Sequence, residues 1–169
     1  MFIRLLTVAA AATLAATAAA AAGNAASVSR CATSGLVVWL KTGDGNAGAG
    51  SFFVTLELTN LSGHRCSLLG YPGVSAVDLA GHALGSAASR NPRTTPRTAV
   101  LAPGGSASSV LQINDTGVFP SGACRPVTAA GLRVFPPGAT ASKIVPFAFR
   151  ACSRTGRAYL HVEAVKAEG

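Results

Sequence analysis

Methionine does not recur after Met1, tryptophan occurs once, and only six side chains are acidic. Each scarcity removes a chemistry. A methionine-ligated copper centre has no ligand once Met1 is cleaved away with the N-terminal segment. A glycosidase needs two placed carboxylates, and Asp44, Glu57, Asp78, Asp115, Glu163 and Glu168 are scattered singly. Calcium takes several oxygen ligands, more than Asp44-Gly45-Asn46 supplies. Nucleophilic catalysis needs a nucleophile, a base and an orienting group. No Gly-x-Ser-x-Gly elbow occurs, and Gly73-Val74-Ser75-Ala76-Val77, the nearest piece, lacks the second glycine. The bases are His64, His82 and His161. The first two fall in turns and read as solvated, and the third falls on the outward face of a strand. No glycine loop for phosphate is present. Neither an enzyme, a cofactor nor a metal site is expected.

Long apolar runs are also missing, except at the N-terminus. Met1-Phe2-Ile3-Arg4 carries one positive charge, and an Ala/Leu-rich run follows from Leu5 to Ala22 with only Thr7, Thr13 and Thr17 as polar side chains. Ala20-Ala21-Ala22 offers small residues where a signal peptidase reads. This pattern predicts a secretory signal peptide over 1–22, then a short polar leader over 23–30. Ala26 is a second plausible cleavage site. The run is only about as long as the minimum for spanning a bilayer and is alanine-dominated, so no stable membrane span is expected after cleavage. Arg30 directly precedes Cys31, where a lipidated cysteine needs small apolar neighbours, so a lipoprotein is not expected. The remaining 169 − 22 = 147 residues suit one domain, secreted or associated with the cell wall.

With Arg4 removed, thirteen Lys and Arg face six acids, a net charge near 13 − 6 = +7. Such a chain favours anionic partners. The densest groups are Arg90/Arg93/Arg97 and Arg150/Arg154/Arg157. Nucleic-acid binding by stacking wants aromatics among the arginines. Phe147 and Phe149 come nearest, but they alternate as a core-facing strand end does, so nucleic acid is not an expected partner.

The four cysteines, Cys31, Cys66, Cys124 and Cys152, form an even set in an exported chain and read as two disulfides. Three pairings are open. Cys31–Cys66 with Cys124–Cys152 is the one chosen here, because it closes the shortest loops. Zinc would want close pairs such as Cys-x-x-Cys, and no two of these cysteines stand that near.

Short apolar stretches separated by Gly, Pro, Asn and Asp fill the rest. Ser51–Asn60 alternates most clearly, with Phe52, Val54, Leu56 and Leu58 on one face. Further strands are predicted at 36–40, 66–69, 74–78, 99–101, 106–113, 132–135 and 159–165, with a weak edge strand at 142–146. Residues 85–98 and 114–125 show no periodicity and read as long loops. Seven or eight short strands joined by hairpin-length turns predict an all-β, mostly antiparallel β-sandwich over 31–165.

Several blocks occur in fixed order. Cys31 to Leu40 is followed by Leu58-Thr59-Asn60-Leu61-Ser62-Gly63, then by Cys66-Ser67-Leu68-Leu69-Gly70-Tyr71-Pro72-Gly73-Val74. Leu101-Ala102-Pro103-Gly104-Gly105, Cys124-Arg125-Pro126 and Leu132-Arg133-Val134-Phe135-Pro136-Pro137-Gly138 complete the series. This series resembles the DUF4232 family of exported actinobacterial proteins. The resemblance implies an immunoglobulin-like sandwich, often exported or lipid-anchored, and names no activity. Within it, Asn60 and Gly63 suit a turn with positive φ, and Tyr71 suits a corner tyrosine whose hydroxyl bonds to backbone.

Together these features lead to the expectation of a secreted, non-catalytic binding module. Its candidate binding residues are Arg90, Arg93 and Arg97, and its partner is an anionic cell-wall polymer or an extracellular protein. A structural envelope protein assembling through a sheet edge is the alternative. A hydrolase with a dispersed site is a third reading.

Overall fold

The computed structural model describes residues 27–41, 47–120 and 122–168. The expected signal peptide, residues 23–26 of the leader and the Asp44-Gly45-Asn46 turn lie outside them. The described residues form the strands β1 (Leu36–Lys41), β2 (Ala47–Gly48), β3 (Ser51–Asn60), β4 (Cys66–Leu68), β5 (Gly73–Val77), β6 (Ala83–Leu84), β7 (Ser89–Arg90), β8 (Ala99–Leu101), β9 (Ser106–Asn114), β10 (Pro126–Phe135), β11 (Lys143–Cys152), β12 (Leu160–Val162) and β13 (Lys166–Ala167). Short 3-10 turns at Thr33–Gly35 and Thr116–Val118 are the only helical pieces among the described residues.

One sheet runs β1-β3-β9-β12-β7, with β13 also paired to β9 and β2 to β3. A second runs β11-β10-β5-β6, and β4 pairs with β8. Every one of these pairs is antiparallel except β7 with β12. The period-2 alternation of β3 and β9 sends Val54, Leu56, Leu58, Leu111 and Ile113 inward. They meet Val74, Ala76, Leu132, Val134 and Phe149 of the second sheet, and Leu68 and Leu101 of the β4–β8 pair, in one core. Each such leucine or valine contributes about 1.5–3 kcal/mol by leaving water. The fold is all-β, and these sheets around one core are compatible with the immunoglobulin-like sandwich that the resemblance implies. Both disulfides form as chosen from loop length, Cys31–Cys66 and Cys124–Cys152.

Three local expectations change. Asn60 and Gly63 do not adopt positive φ. Asn60 is fully buried, and its side chain makes the turn instead. Its Nδ2 donates to the carbonyls of His64 (2.9 Å), Leu101 (3.2 Å) and Ala102 (3.2 Å). Its Oδ1 accepts from the amide (3.0 Å) and hydroxyl (2.6 Å) of Ser62.

The strands predicted at 132–135 and 142–146 are only the C-terminal end of one ten-residue strand, Pro126–Phe135, and the N-terminal end of another, Lys143–Cys152, which pair from Pro126↔Cys152 to Val134↔Lys143. A bulge interrupts them between Ala129 and Gly131. A Cβ on Gly131 would lie 2.5 Å from the Val145 carbonyl, so the strand crosses where only glycine fits. That glycine, with two alanines before it, hides the strand from propensity. Third, the 85–98 segment is not loop throughout, since Ser89–Arg90 adds to the large sheet.

A candidate anion-binding cleft

The segment that carries the candidate arginines is pinned at several points. Gly85 has φ +66°, and a Cβ there would meet the Cys152 carbonyl at 2.5 Å and the Tyr159 ring at 2.9 Å. Tyr159 is fully buried, and its hydroxyl donates to the Leu84 carbonyl (3.1 Å). Burial raises its pKa to about 12, opposed by a weaker backbone hydrogen bond to Cys152. Ser86 Oγ donates to the Gly156 carbonyl and accepts from the Gly156 amide, both at 2.9 Å. Ser89 and Arg90 then pair with His161 and Val162, and the Asn91 amide donates to the Val162 carbonyl (2.8 Å). The Arg93 amide donates to Asn91 Oδ1 (3.2 Å), an Asx turn. Thr94 Oγ1 donates to Glu163 (2.7 Å), while the Thr94 carbonyl accepts from the Tyr71 hydroxyl (3.4 Å).

Around this anchor the chain turns so that Arg93 and Arg97 line an open cleft of about 510 Å³ with Thr95, Thr98 and Lys166. No acidic residue among the described ones lines it, and its lining includes Ala99 and Val165. The nearby carboxylate of Glu163 is engaged by Thr94. Among the described residues the sole ion pair is Asp78–His82, at 3.2 Å in an exposed turn. There the His82 backbone amide, chiefly, holds the Asp78 carboxyl below its usual range. The described lysines and arginines thus lack partners among the described carboxylates, and their charge is open to an external anion.

The three arginines singled out from sequence are therefore not one unit. Arg93 and Arg97 come together. Arg90 instead stands 5.5 Å above the Tyr71 ring, a cation–π arrangement. Lys166 is absent from the expected set because β13 brings it in from far along the chain, where no motif marks it.

The histidines divide in the same way. His64 and His82 are exposed. His161 faces away from the core yet is half-buried, and burial lowers its pKa. Its Nδ1 lies 2.6 Å from Ser89 Oγ, and its Nε2 lies 3.2 Å from Asn114 Nδ2. Asn114 Oδ1 in turn accepts from Gln112 (3.0 Å). With Asn114 donating to Nε2, the neutral ring carries its proton on Nδ1 and donates it to Ser89. Ser89 is then an acceptor rather than an activated nucleophile, and the trio reads as a clip between β7, β12 and β9.

The family described as a domain of unknown function, DUF4232, matches residues 31–166. The chain belongs to the DUF4232 family. No curated protein and no solved structure matches it. The matched DUF4232 region takes in both disulfides, all of the cleft-lining residues except Ala167, and the Asn60 turn. Two disulfides place the DUF4232 domain in an oxidising environment such as the cell exterior. Among the described residues no helix is long and apolar enough to cross a membrane.

Proposed function

We propose that this protein is a secreted, non-catalytic binding module of an actinobacterial cell envelope, exported by a signal peptide cleaved after Ala22 and not lipid-anchored. Its partner is an anionic cell-wall polymer or an acidic extracellular protein. The observation that carries this reading is the cleft shared by Arg93, Arg97 and Lys166, which no described carboxylate lines. Guanidinium groups suit carboxylate and phosphate oxygens, and the threonine hydroxyls beside them add neutral donors. The site is open and exposed, so each ion contact contributes little by itself, about 0–1 kcal/mol, and the affinity depends on several contacts together.

The test is to incubate the disulfide-intact mature domain with isolated bacterial cell wall at low and high salt and to measure the bound fraction. Binding is expected to fall steeply with salt and to weaken in Arg93→Gln/Arg97→Gln. Salt-independent binding, or none by the native protein, overturns the reading.

The sheet-edge alternative rests on β1. It is the edge strand of the large sheet, and Val37 and Trp39 on it are each 43% exposed. An exposed apolar edge can pair with a second copy. That reading expects oligomers in solution, and a sharp monomer by light scattering removes it.

A further inference from the structure

A second cationic cleft, of about 660 Å³, is lined by Ala123, Ser153, Arg154, Thr155, Gly156 and Arg157. Like the first, it has no acidic lining residue. It is a built loop rather than a loose one. The Ser153 amide donates to the Arg125 carbonyl and the Arg154 amide to the Cys124 carbonyl, both at 3.1 Å. Arg154 Nη1 donates to the Gly122 carbonyl at 2.8 Å. The loop is thereby held across the Cys124–Cys152 disulfide, with Arg154 and Arg157 exposed. Arg150, grouped with them by sequence, lies on β11 and does not line the cleft.

The two clefts are linked through the chain between Ser86 and Arg93. The reciprocal hydrogen bonds of Ser86 with Gly156 fasten the segment bearing Arg93 to the loop bearing Arg157. Seven residues of chain separate Ser86 from Arg93, and fully extended they reach at most about 25 Å. Arg90 stands between them along the chain. Screening in physiological salt acts over about 8 Å, so a small anion in one cleft gains little from the other. A polymer that follows both gains from each, because its second contact is intramolecular.

We infer that the Arg154/Arg157 cleft and the Arg93/Arg97/Lys166 cleft bind one linear polyanion between them. This inference rests on the reading above of the first cleft as an anion site. Composition selects the class of ligand. The second cleft offers a single alanine as apolar lining, too little for the dry centre that protein interfaces have. Neither cleft is lined by an aromatic ring on which a base could stack. A flexible, hydrophilic chain of repeating phosphates or carboxylates fits both.

The experiment measures binding of the disulfide-intact mature protein to labelled long-chain polyphosphate and labelled poly-glutamate, with inorganic phosphate as competitor, over a range of salt. Arg154→Gln/Arg157→Gln is expected to weaken polymer binding about five- to tenfold and to lower the salt slope by about 1.4. Arg157→Gln alone, which leaves the Arg154–Gly122 bond intact, is expected to give about half that change in slope. Inorganic phosphate is expected to compete poorly. The tighter polymer identifies phosphate or carboxylate as the repeating group. If the Arg154/Arg157 variants bind like the native protein while Arg93→Gln/Arg97→Gln binds less, the two-cleft inference falls and the single-cleft reading stands. If Arg93→Gln/Arg97→Gln also has no effect, the reading itself falls. Competition by inorganic phosphate at the same phosphate concentration overturns the polymer.

Discussion

The turn from Asn60 to Cys66 and the segment from Ser86 to Thr98 stand at opposite extremes of the same molecule. The first holds the most distinctive residues of the chain and spends them inward. From a fully buried position Asn60 reaches three carbonyls with its two amide hydrogens, one of them shared, and accepts from two donors, and Cys66 ties the turn to Cys31. The second has no distinctive pattern and turns its charges outward. It is held at Ser86, at Ser89, at Asn91 and at Thr94, and Arg93 and Arg97 between and beyond those points remain unpaired with any described carboxylate. A rare sequence block therefore marks a difficult piece of architecture here, whereas the surface with unspent charge carries no signature.

Substitutions at the two regions should separate stability from binding. The largest effect is expected from Cys31→Ala/Cys66→Ala. Opening a 35-residue separation removes about 3–4 kcal/mol in the chain-entropy account, read as a lowered denaturant midpoint. Asn60→Ala is expected to cost about 3 kcal/mol, since it removes a fully buried side chain and its hydrogen bonds to the buried Leu101 carbonyl and the part-buried His64 and Ala102 carbonyls. Asn60→Asp sharpens the point. It keeps the acceptor for Ser62 but sets a carboxylate against three carbonyls, and should be at least as destabilising. Equal stability of Asn60→Asp and the native protein in urea would sink this account.

A smaller, pH-dependent effect belongs to the clip at the start of the second region. Burial lowers the pKa of His161 in the fold, so the unfolded chain binds its proton first. The contribution is full above the unfolded value near 6.5 and declines as pH falls from there toward the lower folded value. His161→Gln should flatten that part of the stability–pH curve, and an unchanged curve would show that the clip does not titrate in this range. The smallest effect on stability is expected from Arg93→Gln/Arg97→Gln, within about 0.5 kcal/mol, because neither side chain pairs with a described carboxylate. A large loss of stability there would mean that these arginines are structural and that the contrast between the two regions is false.

Much of the architecture was legible from local pattern. Ser51–Asn60 and Ser106–Ile113 alternate because one face of each strand is buried and the other is not, and the disulfide pairs followed from the shorter loops. What escaped was non-local. β10 was foreshortened because Val127 to Gly131 is weak in strand formers and is held by pairing with β11 rather than by its own preference. Tyr71 bonds its hydroxyl to the Thr94 carbonyl as a corner tyrosine does, but its ring is not the enclosed one. It is half-buried and bonds at 3.4 Å, while Tyr159 is the fully enclosed ring. Nothing near Tyr159 in sequence announces that Gly85 and Leu84 close over it.

By itself the sequence determined the all-β class, the strands with clean alternation, the excess of positive charge and the set of cysteines, since each depends on residue type and on spacing of a few positions. Only the tertiary structure decided which cations share a cleft. Lys166 joins Arg93 and Arg97, Arg90 turns to Tyr71, and Gly156 is fastened to Ser86, because strand pairing between distant segments brings together side chains that no local period relates.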